Sequence, residues 1–188
     1  MDFRCVEGCS DCCINREYYP SKEFGKIGVL ILPDEKERIE SIAKEKKIKI
    51  SILPRIGVSN SQNEKPTELA YQMMGVESNG NTCPFLDIDG EKKSPHGGYP
   101  CKIYEDRPLA CKTYPLIQIN PMQLDQKCKF CKECGNADNN LDSELESLLK
   151  IKERMETDAH LIWRYATGIG EKEDKDKIKT GWVLEQEY

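Results

Sequence analysis

CVEGCSDCC (residues 5–13) and CKFCKEC (residues 128–134) set the expected architecture of this chain. We call them the first and second cysteine clusters. Two residues between cysteines permit a tight turn that directs both sulfurs to one point, with backbone N–H groups turned toward them. This spacing is typical of both zinc sites and iron–sulfur clusters, and it does not separate the two. The two clusters therefore predict metal binding.

The second cluster places Cys128, Cys131 and Cys134 at even spacing, as in the first three ligands of a bacterial ferredoxin cluster. The fourth Cys-Pro element of that pattern is missing, because Gly135 follows Cys134. A fourth ligand would come from elsewhere, for example from Cys101 or Cys111. The alternative is a zinc knuckle that pins this segment to the core.

The first cluster has the Cys-x3-Cys-x2-Cys spacing of the radical S-adenosylmethionine loop. Only four residues precede Cys5, Asp11 stands where that loop has an aromatic residue, and no alternating strand–helix pattern follows. These departures argue against that enzyme class.

Cys13 follows Cys12 directly, and adjacent side chains of an extended backbone point to opposite sides. The pair is therefore expected to serve two centres, or to leave one cysteine as a buried thiol.

Composition narrows the classes of function. The 188 residues carry 33 acidic and 28 basic side chains, so the net charge of −5 argues against nucleic-acid binding. No apolar run approaches the roughly 20 residues of a membrane span, and no secretory signal is visible. We therefore expect a cytoplasmic protein. Ten cysteines in a reducing compartment favour metal sites, with a disulfide framework as the alternative.

Periodicity predicts a few regular elements. Residues 27–32 are expected to be extended, a helix is expected from Pro33 to about Lys47, and a short strand that ends at Pro54 is expected after it. Apolar residues at helical spacing predict a long amphipathic helix over 141–166, with a capping box at Ser143 and Glu146 and a stop at Gly168.

These elements predict an α+β fold: a small, loop-rich, metal-centred domain with short strands, an early helix and a long C-terminal amphipathic helix. The expected domains are a metal-binding domain over 1–135, the C-terminal helix over 136–170 and a charged tail over 171–188. The apolar face of that helix is expected to pack on its own domain or to dock a protein partner.

A set of motifs downstream of the first cluster carries a resemblance to a known family. They are ILPDEKERI (31–39), CPFLD (83–87), CKIYEDRPLAC (101–111) and Tyr114-Pro115. In this order they resemble the YkgJ-type cysteine-cluster (CxxCxxCC) family, described as a zinc- or iron-chelating domain and often labelled an iron–sulfur oxidoreductase. The first spacing here is x3 rather than x2. The resemblance implies metal binding by Cys5, Cys9, Cys12, Cys13, Cys83, Cys101 and Cys111.

The sequence thus predicts an iron–sulfur protein with one or two 4Fe-4S clusters, serving electron transfer or cluster assembly in a cytosolic complex. Whether the chain is an enzyme is left open: a role as an oxidoreductase component is one alternative, and no set of catalytic residues is identified. The candidate ligands are all ten cysteines: Cys5, Cys9, Cys12, Cys13, Cys83, Cys101, Cys111, Cys128, Cys131 and Cys134. One alternative is a structural zinc adaptor. The other is a component of a protein lysine methyltransferase-like enzyme, because a related domain occurs in flagellin lysine N-methylases.

Several other side chains are candidates near these cysteines. Simple packing is favoured for Arg107, Tyr104 and Tyr114. The alternatives are that Arg107 donates to a sulfur or holds a neighbouring carboxylate, and that the two tyrosines shield a centre from water. His96 lies in a Pro- and Gly-rich loop, where solvent exposure is favoured over a role as ligand. His160 is expected to be structural.

Overall fold

The computed structural model describes residues 10–14, 18–21, 23–76, 82–90, 99–125, 128, 140–170, 174 and 176–187. The chain divides into two compact units. One, the cysteine unit, consists of Met1–Arg16 and Val76–Glu153. The other, the sheet unit, consists of Glu17–Gly75 and Arg154–Tyr188.

The sheet unit is built on a five-stranded antiparallel sheet. Its strands are β3 (Val29–Ile31), β4 (Ile52–Ser59), β5 (Thr67–Met73), β8 (Leu161–Thr167) and β9 (Thr180–Glu187), in the order β3-β5-β4-β8-β9. A separate antiparallel pair joins β1 (Tyr18–Ser21) to β2 (Gly25–Ile27). The first and last parts of the chain therefore meet in one sheet through the pairing of β4 with β8.

The helix of the sheet unit, α2 (Pro33–Glu45), agrees with the helix predicted from Pro33. Proline suits the first turn of a helix because its missing N–H has no partner there in any case. The buried Glu35 carboxylate accepts a hydrogen bond from the backbone N–H of Leu32 at 3.1 Å, which closes the N-terminus. Ile39 and Ala43 are buried, and α2 contacts β5. The amphipathic stripe therefore lies against the sheet.

The cysteine unit contains short elements. They are α1 (Asp11–Ile14), α3 (Leu109–Lys112), β6 (Leu116–Gln118), β7 (Gln123–Leu124) and α4 (Asp142–Arg154). Strands β6 and β7 form an antiparallel hairpin. Phe85, Leu86, Ile103 and Leu116 are buried in this unit, together with Cys83 and Cys128.

The predicted fold class is wrong in its main feature, because the described residues are rich in sheet and include no long C-terminal helix. Helix α4 ends at Arg154, and Leu161–Thr167 is strand β8. The sequence LIWRYAT contains aromatic and β-branched residues, which suit a strand, and it pairs with β4 on one side and β9 on the other. These long-range hydrogen bonds outweigh the helical spacing of the apolar residues.

The predicted capping box at Ser143 and the predicted charged tail also differ from the structure. Ser143 lies within the first turn of α4 and does not precede it, and the Asn140 side-chain oxygen accepts the Asp142 N–H at 2.9 Å. The charged tail ends in strand β9. The domain boundaries 1–135, 136–170 and 171–188 stay a prediction. Among the described residues, no helix is both long enough and apolar enough to cross a bilayer.

Candidate metal centre

All ten cysteines fall within the two segments of the cysteine unit. Cys12 and Cys13 lie on α1, Cys111 lies on α3, and Cys83, Cys101 and Cys128 lie in irregular segments. These six are present as thiols and not as disulfides. Cys5, Cys9, Cys131, Cys134 and His96 lie outside the described residues.

Helix α1 brings the two adjacent thiols together. The sulfurs of Cys12 and Cys13 are 3.9 Å apart. The expectation that they point to opposite sides assumed an extended backbone, and the helical backbone removes that assumption. Two thiolates on one tetrahedral zinc ion are about 3.8 Å apart, since each Zn–S bond is about 2.3 Å. The pair thus has the spacing of two ligands of a single ion.

Backbone hydrogen bonds join the first cluster to the downstream motifs. The N–H of Cys83 donates to the carbonyl of Cys13 at 2.7 Å, and the N–H of Tyr99 donates to the Ser10 hydroxyl at 3.0 Å. The CPFL segment in turn pairs with the next cysteine, because Leu86 and Cys101 form an antiparallel bridge. Three segments far apart in sequence are therefore held side by side by their main chains.

The environment of Cys101 shows which other thiols are close. Burial raises the pKa of the Cys101 thiol, and the hydrogen bond from the Ile103 backbone N–H opposes this shift. The charges of Cys111 and Cys12 raise the same pKa further, while Arg107 lowers it. Electrostatic effects of this kind require proximity. Cys12 and Cys111 thus each lie close enough to Cys101 for their charges to act on it.

Tyr114 lies beside this group of thiols. Its hydroxyl donates to the Asp125 carboxylate at 3.0 Å. Burial raises the pKa of Tyr114, and the hydrogen bond to Asp125, the charge of Asp125 and the charges of Cys128 and Cys12 raise it further. The charges that act on Tyr114 thus come from Asp125, Cys128 and Cys12, and the shielding of a metal centre by Tyr114 stays a prediction.

Tyr104 and Arg107 have a different arrangement. The Tyr104 side chain is 49% exposed, and the Arg107 guanidinium carbon lies 3.8 Å from the centre of its ring. The Nε of Arg107 donates to the Tyr104 carbonyl at 2.8 Å. Tyr104 therefore faces solvent, and Arg107 acts on Cys101 through its charge.

The donor set suits zinc or iron, because thiolates are preferred ligands of both. Within the described part of the chain, no group of three or more His, Cys, Asp or Glu side chains is close enough to hold a single ion. The described geometry therefore supplies one pair of sulfurs, those of Cys12 and Cys13, at the separation of two ligands on one ion, with Cys101 near Cys12.

A comparison with family models identifies the family of the chain. The model named CxxCxxCC, "Putative zinc- or iron-chelating domain", matches residues 4–132, which is more than half of the chain. The chain belongs to the CxxCxxCC family. The matched range includes nine of the ten cysteines and excludes only Cys134. Membership of the CxxCxxCC family confirms the resemblance predicted from the motifs and supports metal binding.

Neither the curated proteins nor the solved structures contain a match to this chain. That all ten cysteines bind metal stays a prediction.

The sequence analysis did not single out Asp125. Its carboxylate accepts the hydrogen bond from the Tyr114 hydroxyl, and its carbonyl accepts the Cys128 N–H at 3.0 Å. Its only signal in the sequence is its position three residues before a cysteine. His160 lies exposed directly before β8, outside any helix.

Proposed function

We propose that the cysteine unit binds an iron–sulfur cluster of the 4Fe-4S type, and that the protein serves electron transfer or cluster assembly. One observation carries the proposal: the main chain holds the segments of Cys13, Cys83 and Cys101 together, since the Cys83 N–H donates to the Cys13 carbonyl at 2.7 Å and Leu86 forms a bridge with Cys101. Four-iron clusters take thiolate ligands that converge from the surrounding chain. A bound cluster would supply reversible one-electron transfer.

The surroundings of these thiols suit such ligands. The Ile103 N–H bonds to the Cys101 sulfur, and donors of this kind stabilise thiolate charge. Phe85 and Leu86, which follow Cys83, and Ile103, which follows Cys101, are buried and restrict the access of water. The chain thus provides both a hydrogen-bonded ligand and an apolar surround.

The number of thiols also supports iron. Ten cysteines exceed the four that one structural zinc ion uses, and are enough for two four-iron clusters. A cytoplasmic location is part of the proposal, because a reducing compartment keeps thiols available to metal.

A zinc-binding adaptor is the second candidate, and the 3.9 Å separation of the Cys12 and Cys13 sulfurs favours it. That distance is close to the edge of a tetrahedral four-thiolate site. Zinc would stabilise the fold without carrying electrons.

Elemental analysis of anaerobically purified full-length protein tests the proposal. We expect iron and acid-labile sulfide in equal amounts, broad absorption at about 400 nm and a paramagnetic signal after reduction. A colourless protein with stoichiometric zinc would overturn the iron proposal and support the second candidate. Protein without either metal would overturn both.

Electron transfer and cluster assembly both require a partner protein. The predicted partner contact lies on the helix expected over 141–166. Of that range only helix α4 (Asp142–Arg154) is helical, and its Leu149 is exposed. The partner contact itself stays a prediction.

A further inference from the structure

We propose that Tyr114 and Asp125 form a clamp that positions Cys128 beside Cys111 as a ligand of the same metal centre. The inference rests on the proposed metal-binding function of the cysteine unit. It goes beyond that function because it assigns the first thiol of the second cluster to a shared centre and names two residues, neither a cysteine, that hold it there.

The β6–β7 hairpin returns the chain to the end of α3. Cys111 lies on α3 (Leu109–Lys112), and Tyr114 is the second residue after the helix. After the hairpin, the N–H of Asp125 donates to the carbonyl of Pro115 at 2.8 Å. The chain that leaves the hairpin thus starts next to the residues that follow Cys111.

Cys128 is tied to that starting point. Its N–H donates to the Asp125 carbonyl at 3.0 Å, so its backbone lies beside Asp125. The Cys128 side chain is only 7% exposed. Its thiol is therefore directed into the unit rather than into solvent.

The hydrogen bond between the Tyr114 and Asp125 side chains adds a second link between the same two segments. The phenolic oxygen lies 3.0 Å from Oδ2 of Asp125, so the bond joins the segment that follows α3 to the residue that follows β7. Hydrogen bonds that orient metal ligands from outside the coordination sphere commonly change metal affinity by about 10- to 100-fold. The clamp is suited to this role because it joins the two ligand-bearing segments without occupying either thiol.

The test compares metal release from purified full-length variants, each carrying the metal that it holds as purified. The probe is an excess of a zinc or iron chelator, and the rate of metal loss is measured. We expect Tyr114→Phe, which removes only the hydroxyl, to release metal about 10-fold faster than the parent protein. Asp125→Leu removes the acceptor of the same hydrogen bond, so we expect it to release metal faster by a similar factor, and we expect the double variant to release metal no faster than either single one.

Two further variants separate positioning from general stability. Tyr71→Phe makes the same chemical change in β5 of the sheet unit and should leave metal release unchanged. Cys128→Ser should lower the metal content of the centre that Cys111→Ser also depletes, and the double variant should lose no more than either single one. A general loss of fold would instead be seen in the circular dichroism spectrum of Tyr114→Phe.

Each negative result has its own meaning. If the parent protein binds metal but Tyr114→Phe releases it at the parental rate, the clamp is wrong and the proposed function stands. If Cys128→Ser and Cys111→Ser deplete separate centres, the shared centre is wrong. A parent protein without metal would overturn the clamp together with the proposed function.

Discussion

At the scale of single residues, Cys101 is the thiol whose surroundings are described best. It receives a backbone hydrogen bond and lies near two other thiols and one guanidinium. Cys111 is one of those thiols and comes from α3. If both bind metal, removal of either sulfur breaks one centre.

We therefore predict that Cys101→Ser and Cys111→Ser each lower the metal content. Each should also lower the melting temperature by about 5 °C or more, because metal-binding free energy adds to folding free energy and 1 kcal/mol is worth about 2–4 °C at this size. Elemental analysis and thermal unfolding check this. In chelator-treated protein the same changes should have a much smaller effect. Parental metal content in both variants would contradict the prediction.

The pKa of Cys101 gives a prediction for the metal-free protein. Burial raises the pKa in the folded state above 9.0, so the folded state binds more protons than the unfolded state above that pH. The stabilising contribution is complete below about pH 9 and is lost as the pH rises through the folded pKa. Urea unfolding of chelator-treated parent and Cys101→Ser protein, from about pH 7 to about pH 10, should show a steeper alkaline loss in the parent. Parallel curves would exclude this contribution.

At the scale of elements, a buried glutamine joins the strands of the sheet unit. Gln72 on β5 is fully buried. Its Oε1 accepts the Gly28 N–H at 3.0 Å, and its Nε2 donates to the Pro54 carbonyl at 2.7 Å. Gly28 directly precedes β3 and Pro54 lies on β4, and these two strands flank β5. One buried side chain therefore hydrogen-bonds to the main chain on both sides of its own strand.

We predict that Gln72→Leu destabilises the protein by about 2 kcal/mol or more, because two buried backbone groups lose their partner and each costs about 1–3 kcal/mol. Chemical denaturation measures the difference. Gln123→Leu, at an exposed position on β7, is the matched control and should change the stability by less than about 0.5 kcal/mol. Equal effects of the two substitutions would show that the hydrogen bonds of Gln72 carry no net stability.

Strand β4 shows how an element-level prediction fails. A strand was expected to end at Pro54, since proline cannot donate to a ladder. The strand instead runs over Ile52–Ser59, and its pairing with β5 is irregular between Pro54 and Ile56. The irregularity accommodates the proline within the strand, and Pro54 keeps its carbonyl bonded to Gln72.

At the scale of the whole molecule, the division into two units predicts a local response to metal. The cysteines belong to one unit and the five-stranded sheet belongs to the other. Removal of metal by a chelator should therefore speed amide hydrogen exchange in α1, α3 and the β6–β7 hairpin. Amides of β4, β5 and β8 should keep their protection. Hydrogen-exchange mass spectrometry checks this, and equal deprotection of both units would contradict it.

The family and the chemistry of the site were predictable from short motifs. CPFLD, CKIYEDRPLAC and the first cluster are contiguous strings whose residue types suit metal ligation, and the family match agrees with them. The start of α2 was predictable for a similar reason, because proline and acidic residues act within one helical turn. In each case the interacting groups are close together in the chain.

Only the tertiary structure decided the secondary structure of Leu161–Thr167 and the hydrogen-bond acceptor of the Tyr114 hydroxyl. The spacing of apolar residues around 161–167 suits a helix, but pairing with β4 and β9 makes it a strand. Asp125 meets Tyr114 only because a hairpin brings it back. The physical reason is the same for both: these hydrogen bonds join groups that are distant in sequence, and their free energy is absent from any local pattern.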